Sequence, residues 1–129
     1  MTFLDTSTII QYLRDDSTVR EYIEGREPWL TSTVCVFEVL NGRLGSDNTD
    51  IGGVRQDFAG VQAIELNESI AIEAARLQDE LIDDGERLAT VDLLVAATAR
   101  STGDELVVAD ADFQTDALED AMQVTNLRT

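Results

Sequence analysis

The chain contains no histidine and no lysine, one cysteine and one proline, and each shortage removes chemistry. Without an imidazole, neither a Ser-His-Asp nor a Cys-His nucleophile arrangement can be assembled. Without lysine there is no P-loop lysine, no Schiff base and no lysine of the kind that phosphoaspartate-forming folds use. A single cysteine allows no disulfide framework and no thiolate cluster for zinc or iron. Cys35, inside the apolar run TVCVFEVL, reads as a small buried hydrophobe. Long apolar runs are also missing. The longest uncharged stretch, the ten residues from Pro28 to Phe37, is about half of a membrane span. The N-terminus has no charged-then-apolar leader, so a soluble, cytoplasmic protein with no membrane association is expected.

Positive charge is scarce as well. Nine basic residues, all arginine, stand against 26 acidic ones, for a net charge of −17. Disorder is not the reason, because 43% of the chain is apolar and the apolar residues recur periodically. Abundant Asp and Glu with no lysine is the composition expected of a protein adapted to high intracellular salt. At about 1 M salt the Debye length is only about 3 Å, so the net charge does not exclude a polyanionic partner. The chemistry left to the chain runs on carboxylates, hydroxyls, arginine and bound metal.

The 129 residues fit one domain, spanning 1–129. TFLD reads as a short buried strand and TSTIIQYLRDD as a helix, followed by a second small helix, STVREYIEG. PWLTS gives an extended piece, and TVCVFEVLNGRL a helix capped by Ser32 or Thr33. GSDNTDIGG reads as a loop, or as partly absorbed into a helix running on to VRQDFAG. It lacks the twelfth-position glutamate of a calcium loop. VQAIEL alternates as a strand. NESIAIEAARLQDELIDDG is the strongest helix, with Ile70, Ala74, Leu77 and Leu81 as its stripe, Asn67 as cap and Gly85 at its end. TVDLLVAATARSTG is expected to be capped by Thr90 and stopped near Gly103. ELVVAD is an apolar strand ending on a carboxylate, and the tail holds a short helix and a weak strand, QVTNL. Strands separated by helices predict a parallel α/β sandwich.

Most of the acids fall on polar faces or at helix ends. Four stand in apolar company: Asp5 after FL, Glu38 inside VCVFEVL, Asp92 inside LATVDLLVAA and Asp110 after LVVA. Buried carboxylates are costly unless paired or bound to metal. Asp5 and Asp110 could be helix caps, Asp92 could profit from a helix dipole, and Glu38 could pair with an arginine. Two of the four follow strands and two lie near helix starts, positions that converge at the carboxyl edge of a parallel sheet. Four acids on one edge predict a site for a hard divalent ion, Mg²⁺ or Mn²⁺, because every available ligand is an oxygen.

FLDTSTII, STVCVFEVLNG, ATVDLLVAATA and LVVADADF resemble, in order and spacing, the four motif regions of the PIN-domain ribonucleases. The likeness is strongest to the VapC-like toxins of type II toxin-antitoxin modules, and it covers nearly the whole chain. It implies a PIN-like three-layer α/β/α sandwich with a central, mostly parallel sheet of four or five strands. It also implies a catalytic quartet, Asp5, Glu38, Asp92 and Asp110, that holds Mg²⁺ or Mn²⁺ with Asp112 assisting. Thr6 and Ser7 would support the metal waters or the first carboxylate. The expected activity is metal-dependent endoribonuclease cleavage of an RNA substrate, with a cognate VapB-like antitoxin and a homodimer as partners and a halophilic archaeon as source. An RNA-processing nuclease without an antitoxin, or a non-catalytic binding module retaining the acids, remains open. Arg14, Arg43, Arg87 and Arg100 are the candidate clamps on RNA phosphates. Tyr12 and Phe113 are the candidates for base stacking, and Gly42 and Ala96 are small residues on the helix faces of Glu38 and Asp92.

Overall fold

The computed structural model describes residues 1–45 and 48–128. Five strands, β1 (Thr2–Leu4), β2 (Trp29–Ser32), β3 (Val61–Ile64), β4 (Glu105–Val108) and β5 (Val124–Asn126), form one sheet in the order β3-β2-β1-β4-β5. Every pairing is parallel, so among the described residues the sheet has five strands and no antiparallel member. Seven helices connect them: α1 (Thr6–Leu13), α2 (Ser17–Ile23), α3 (Thr33–Asn41), α4 (Ile51–Gln56), α5 (Glu68–Asp83), α6 (Thr90–Thr102) and α7 (Thr115–Leu118). The arrangement is consistent with a three-layer sandwich. Among the described residues no helix is long and apolar enough to cross a membrane.

Strand composition follows from position in the sheet. Central strands of a parallel sheet are covered on both faces and read as continuous apolar runs. Phe3, Leu4, Leu106, Val107 and Val108 are accordingly all buried. From β1 the chain moves outward through β2 to β3, then returns to the other side of β1 to lay down β4 and β5. The winding therefore reverses at β1 and β4, and in such sheets the crevice outside the carboxyl ends at the reversal is where ligands collect. Asp5 and Asp110 follow those two strands.

Helix α5 buries Ile70, Ala74, Leu77 and Leu81 and is capped by Asn67, whose side chain accepts from the Ile70 N–H, as its sequence predicts. Helix α6 packs against α5 and buries Leu93 and every residue from Val95 to Ala99. Its small side chains let neighbours approach from most directions. It stops at Gly103, whose φ of 75° places it in the left-handed region that a side chain disfavours.

The predicted cap of α6 is not observed. Thr90 is the first helical residue, Ala89 occupies the cap position, and no side chain caps the helix. The segment before it is fixed in another way. Gln78 of α5 accepts from the Leu88 N–H at 3.1 Å and donates to the Leu88 carbonyl at 3.0 Å, so an amide clamp holds the residue just before the cap position. Gln78→Ala is expected to lower stability by about 1–3 kcal/mol, read as a lower urea midpoint with unchanged m-value; an unchanged midpoint would show that the clamp is dispensable.

The segment 45–53 is helical in its second half. Asp50 caps α4, accepting from the Gly53 N–H at 2.9 Å, while Ser46 and Asp47 lie outside the described residues. Ser32, not Thr33, caps α3, and the last strand is shorter than QVTNL, covering only Val124–Asn126.

Candidate metal centre

Asp5, Glu38, Asp92 and Asp110, more than a hundred residues apart at the extremes, line one cleft of about 260 Å³. Thr6 and Ser7 line it too, and Ile10, Val95 and Phe113 complete its apolar wall. Asp112 does not line it. That side chain is exposed, and the residue acts on the site through its backbone N–H, which donates to Asp110 Oδ1 at 2.9 Å.

Asp5 shows how a cap and a ligand can be the same residue. As N-cap of α1 it has extended backbone angles, and its Oδ1 accepts from the Thr8 N–H at 3.0 Å. Ser7 Oγ donates to the same oxygen at 2.7 Å. The Thr8 hydroxyl lies 3.0 Å from Oδ1 and 2.7 Å from the Val107 carbonyl, so its one proton is shared between them. Ser7 Oγ in turn accepts from the Ala109 N–H at 2.9 Å, which ties the end of β1 to the end of β4. All three contacts fall on Oδ1, leaving Oδ2 unclaimed among the described residues.

Glu38 and Asp110 repeat this economy. Thr6 Oγ1 donates to Glu38 Oε1 at 2.6 Å, leaving Oε2 free among the described residues. Asp110 offers its second oxygen, and its backbone carbonyl is held by Asn126 Nδ2 at 2.8 Å. Asp92, in the first turn of α6, has no hydrogen-bond partner among the described residues and gains only the helix dipole.

Burial pushes the Asp5 carboxyl up from an ordinary 3.8 to about 6, against its three hydrogen bonds and with a small addition from Asp110. Asp92 is also raised, first by burial and then by the charges of Glu38 and Asp110. The acids thus feel one another, and among the described residues no cationic side chain lines their cleft. Every arginine–carboxylate pair among the described residues lies elsewhere, so the ion pair open to Glu38 from its sequence is absent.

A hard divalent ion fits this donor set: four carboxylates, each with an oxygen not bonded to protein, no nitrogen or sulfur ligand, and no cationic side chain. Among the described residues no three acids already stand in a complete coordination geometry. Binding an ion therefore calls for rotation of side chains, and the hydrogen bonds fix one oxygen of Asp5, Glu38 and Asp110 while leaving Asp92 free to turn. Cys35, beside Asp5, is buried with its thiol pushed up to about 11 by desolvation, and does not line the cleft.

Several smaller expectations separate here. Ala96 is fully buried and serves packing. Phe113 faces the cleft. Tyr12 instead packs edge-on against Trp29, with ring centroids 5.5 Å apart, under the Arg20 guanidinium, and is not available to stack on a base. Arg100 is likewise withdrawn from the candidate clamps: Glu73 and Glu80 each accept from it at 2.6 Å. Thr8 and Asn126, which position Asp5 and Asp110, were not legible as site residues, because both contacts depend on strand order.

The PIN domain model matches residues 2–117, and the chain belongs to the PIN-domain family. Its structure is similar to that of DNA-bound VapBC from Salmonella typhimurium, with TM-score 0.79, 19% identity, and 98% of this chain and 97% of that chain covered. It is also similar to VapBC-5 of Mycobacterium tuberculosis, a member of the VapBC family of toxin-antitoxin systems (TM-score 0.68, 29% identity, 99% and 98% covered). A third similar structure is VapC20 of M. tuberculosis, a toxin that cleaves the sarcin-ricin loop (TM-score 0.60, 18% identity, 90% and 95% covered). No curated protein matches the chain.

Proposed function

We propose that this chain is a Mg²⁺- or Mn²⁺-dependent endoribonuclease, the toxin of a type II toxin-antitoxin module. The observation that carries the reading is the meeting of Asp5, Glu38, Asp92 and Asp110 in one cleft without a cationic side chain. The reaction is hydrolysis: a water oxygen bonds to phosphorus, the P–O bond to the leaving nucleotide breaks, and that oxygen takes a proton.

Asp5, Glu38, Asp92 and Asp110 would hold the divalent ion, which supplies a more acidic water and charge stabilisation at the phosphate. The rest is done by the chain itself. Ser7 and Thr8 fix the Asp5 carboxylate, Thr6 fixes Glu38, and Asn126 with the Asp112 N–H fixes Asp110. Asp112 contributes in this way rather than as a direct ligand. Ile10, Val95 and Phe113 exclude bulk water from one side of the cleft, which strengthens the remaining electrostatics.

A VapB-like antitoxin and a second copy of the chain are the proposed partners. Phe37 (63% exposed), Leu44 (51%) and Ile51 (50%) leave apolar surface at α3 and α4 of the kind that partners cover, and the VapBC likeness favours the toxin over an RNA-processing nuclease without an antitoxin. We read the −17 charge as adaptation to a salt-rich cytoplasm, in keeping with a halophilic archaeal source. The test is incubation of the purified chain with total RNA and Mg²⁺ at high salt, mapping new 5′ ends beside Asp92→Asn. New ends made by the wild type alone are expected; identical maps would remove the nuclease reading.

A further inference from the structure

Nine arginines serve a chain with 26 acids, and most are engaged within the protein. Arg20 meets Asp15, Arg76 and Arg100 meet Glu73, and Arg128 meets Asp16. Arg26 lies over the Tyr22 ring, and Arg55 donates to the carbonyls of Phe58 and Val61. The guanidinium groups of Arg14, Arg43 and Arg87 have no partner among the described residues.

Two of these three share a depression. Helices α1 and α3 pack side by side, and beyond their C-terminal ends Arg14 and Arg43 line a cavity of about 70 Å³ with Ile10, Leu13, Val39 and Gly42. Ile10 also lines the acid cleft, so the two depressions adjoin across one side chain. The dipoles of α1 and α3 favour cations at these ends. They do not explain why, among the described residues, neither guanidinium meets a carboxylate in a chain with 26 acids and 9 bases.

We propose that Arg14 and Arg43 grip a backbone phosphate of the RNA strand next to the scissile one, making the α1–α3 groove the track along which the strand leaves the acid cleft. This rests on the nuclease reading above. Two planar guanidinium forks match phosphate oxygens. Arg14 and Arg43 come just after the last residues of α1 and α3, Leu13 and Asn41, and line the same groove. Gly42 keeps the floor between them low. Its φ of −68° suits any residue, and a Cβ there would meet only the carbonyl oxygens of Glu38 and Val39, at 3.5 and 3.6 Å. A longer side chain at this position can therefore fill the groove without disturbing the fold.

The test is titration of a fluorescein-labelled oligouridine in Mg²⁺ over a range of KCl concentrations, with Asp92→Asn as the non-cleaving parent. Arg14→Gln and Arg43→Gln are each expected to weaken binding about tenfold at low salt. Each should also lower the slope of log K against log salt by about 0.7. Arg87→Gln, away from the groove, should change neither, while Gly42→Leu should weaken binding with the slope unchanged. RNA binding that is indifferent to both arginines overturns the proposal alone and leaves them to an acidic protein segment. Arginine-dependent binding by a wild type that cleaves no RNA sustains the phosphate grip by Arg14 and Arg43 and removes the nuclease reading with its scissile phosphate. Absence of any RNA binding overturns both.

Discussion

Asp5→Asn is expected to make the metal-free protein more stable above pH 6 while reducing RNA cleavage by about 10³-fold or more. Asp5 is 7% exposed, beside Asp110, with no cation in contact. Its folded-state value of about 6 lies above its ordinary 3.8, so between those values the folded chain holds a proton that the unfolded chain has lost. The contribution of Asp5 to stability is therefore fully present below about pH 4, is lost as pH rises through the window, and is absent above about 6. The gap between 3.8 and about 6 corresponds to ~3 kcal/mol once the group is fully ionised. Asparagine removes this cost yet keeps an Oδ1 acceptor for Ser7 and Thr8, and it is as good a cap as aspartate. A Tm gain of about 5 °C or more at pH 8 in the presence of a chelator is the expected result. A variant less stable than the wild type at pH 8 would show that Asp5 has a structural role only, with its charge compensated in some other way.

How far the sequence carried this picture depended on the range of the interactions involved. Periodicity located α5 down to its buried stripe and its Asn67 cap, because an amphipathic helix is a local pattern. The four acids could be picked out because a carboxylate among Phe, Leu and Val is costly wherever the chain folds. Their convergence could be argued only in general terms. The order β3-β2-β1-β4-β5 pairs β1 with a strand about a hundred residues away, and no local pattern encodes that partner. Gln78, Thr8 and Asn126 escaped for the same reason: each acts across elements, on Leu88, Val107 and Asp110. A hydroxyl before an apolar run is the usual cap signal, but Thr90 is already helical, and the chain before α6 is held by an amide on another helix. Arg100 looked as available as Arg14 until α5 brought Glu73 and Glu80 against it.

The thermal stabilisation produced by saturating Mn²⁺ or Mg²⁺ is expected to disappear as the pH is lowered through 6. An ion that binds only the folded chain contributes about 2.7 kcal/mol when present at about a hundred times its dissociation constant. At pH 8 this should appear as a clear rise in Tm. The ion and the proton compete for Asp5, whose carboxyl burial has pushed up to about 6, and for Asp92, raised by burial and by Glu38 and Asp110. Below the Asp5 value each pH unit should cost about tenfold in affinity for each proton displaced. Work at about 1 M KCl holds diffuse screening of the −17 chain nearly constant, so the response reports the cleft. Ser7→Ala sharpens the test. Removing the hydroxyl that donates to Oδ1 at 2.7 Å withdraws a contact favouring the ionised form, so Asp5 rises further and the midpoint of the ion response moves to higher pH. A thermal shift as large at pH 5 as at pH 8, or one that survives Asp5→Asn, would place the cation on solvent-facing acids such as Asp83 and Asp84 rather than in the cleft.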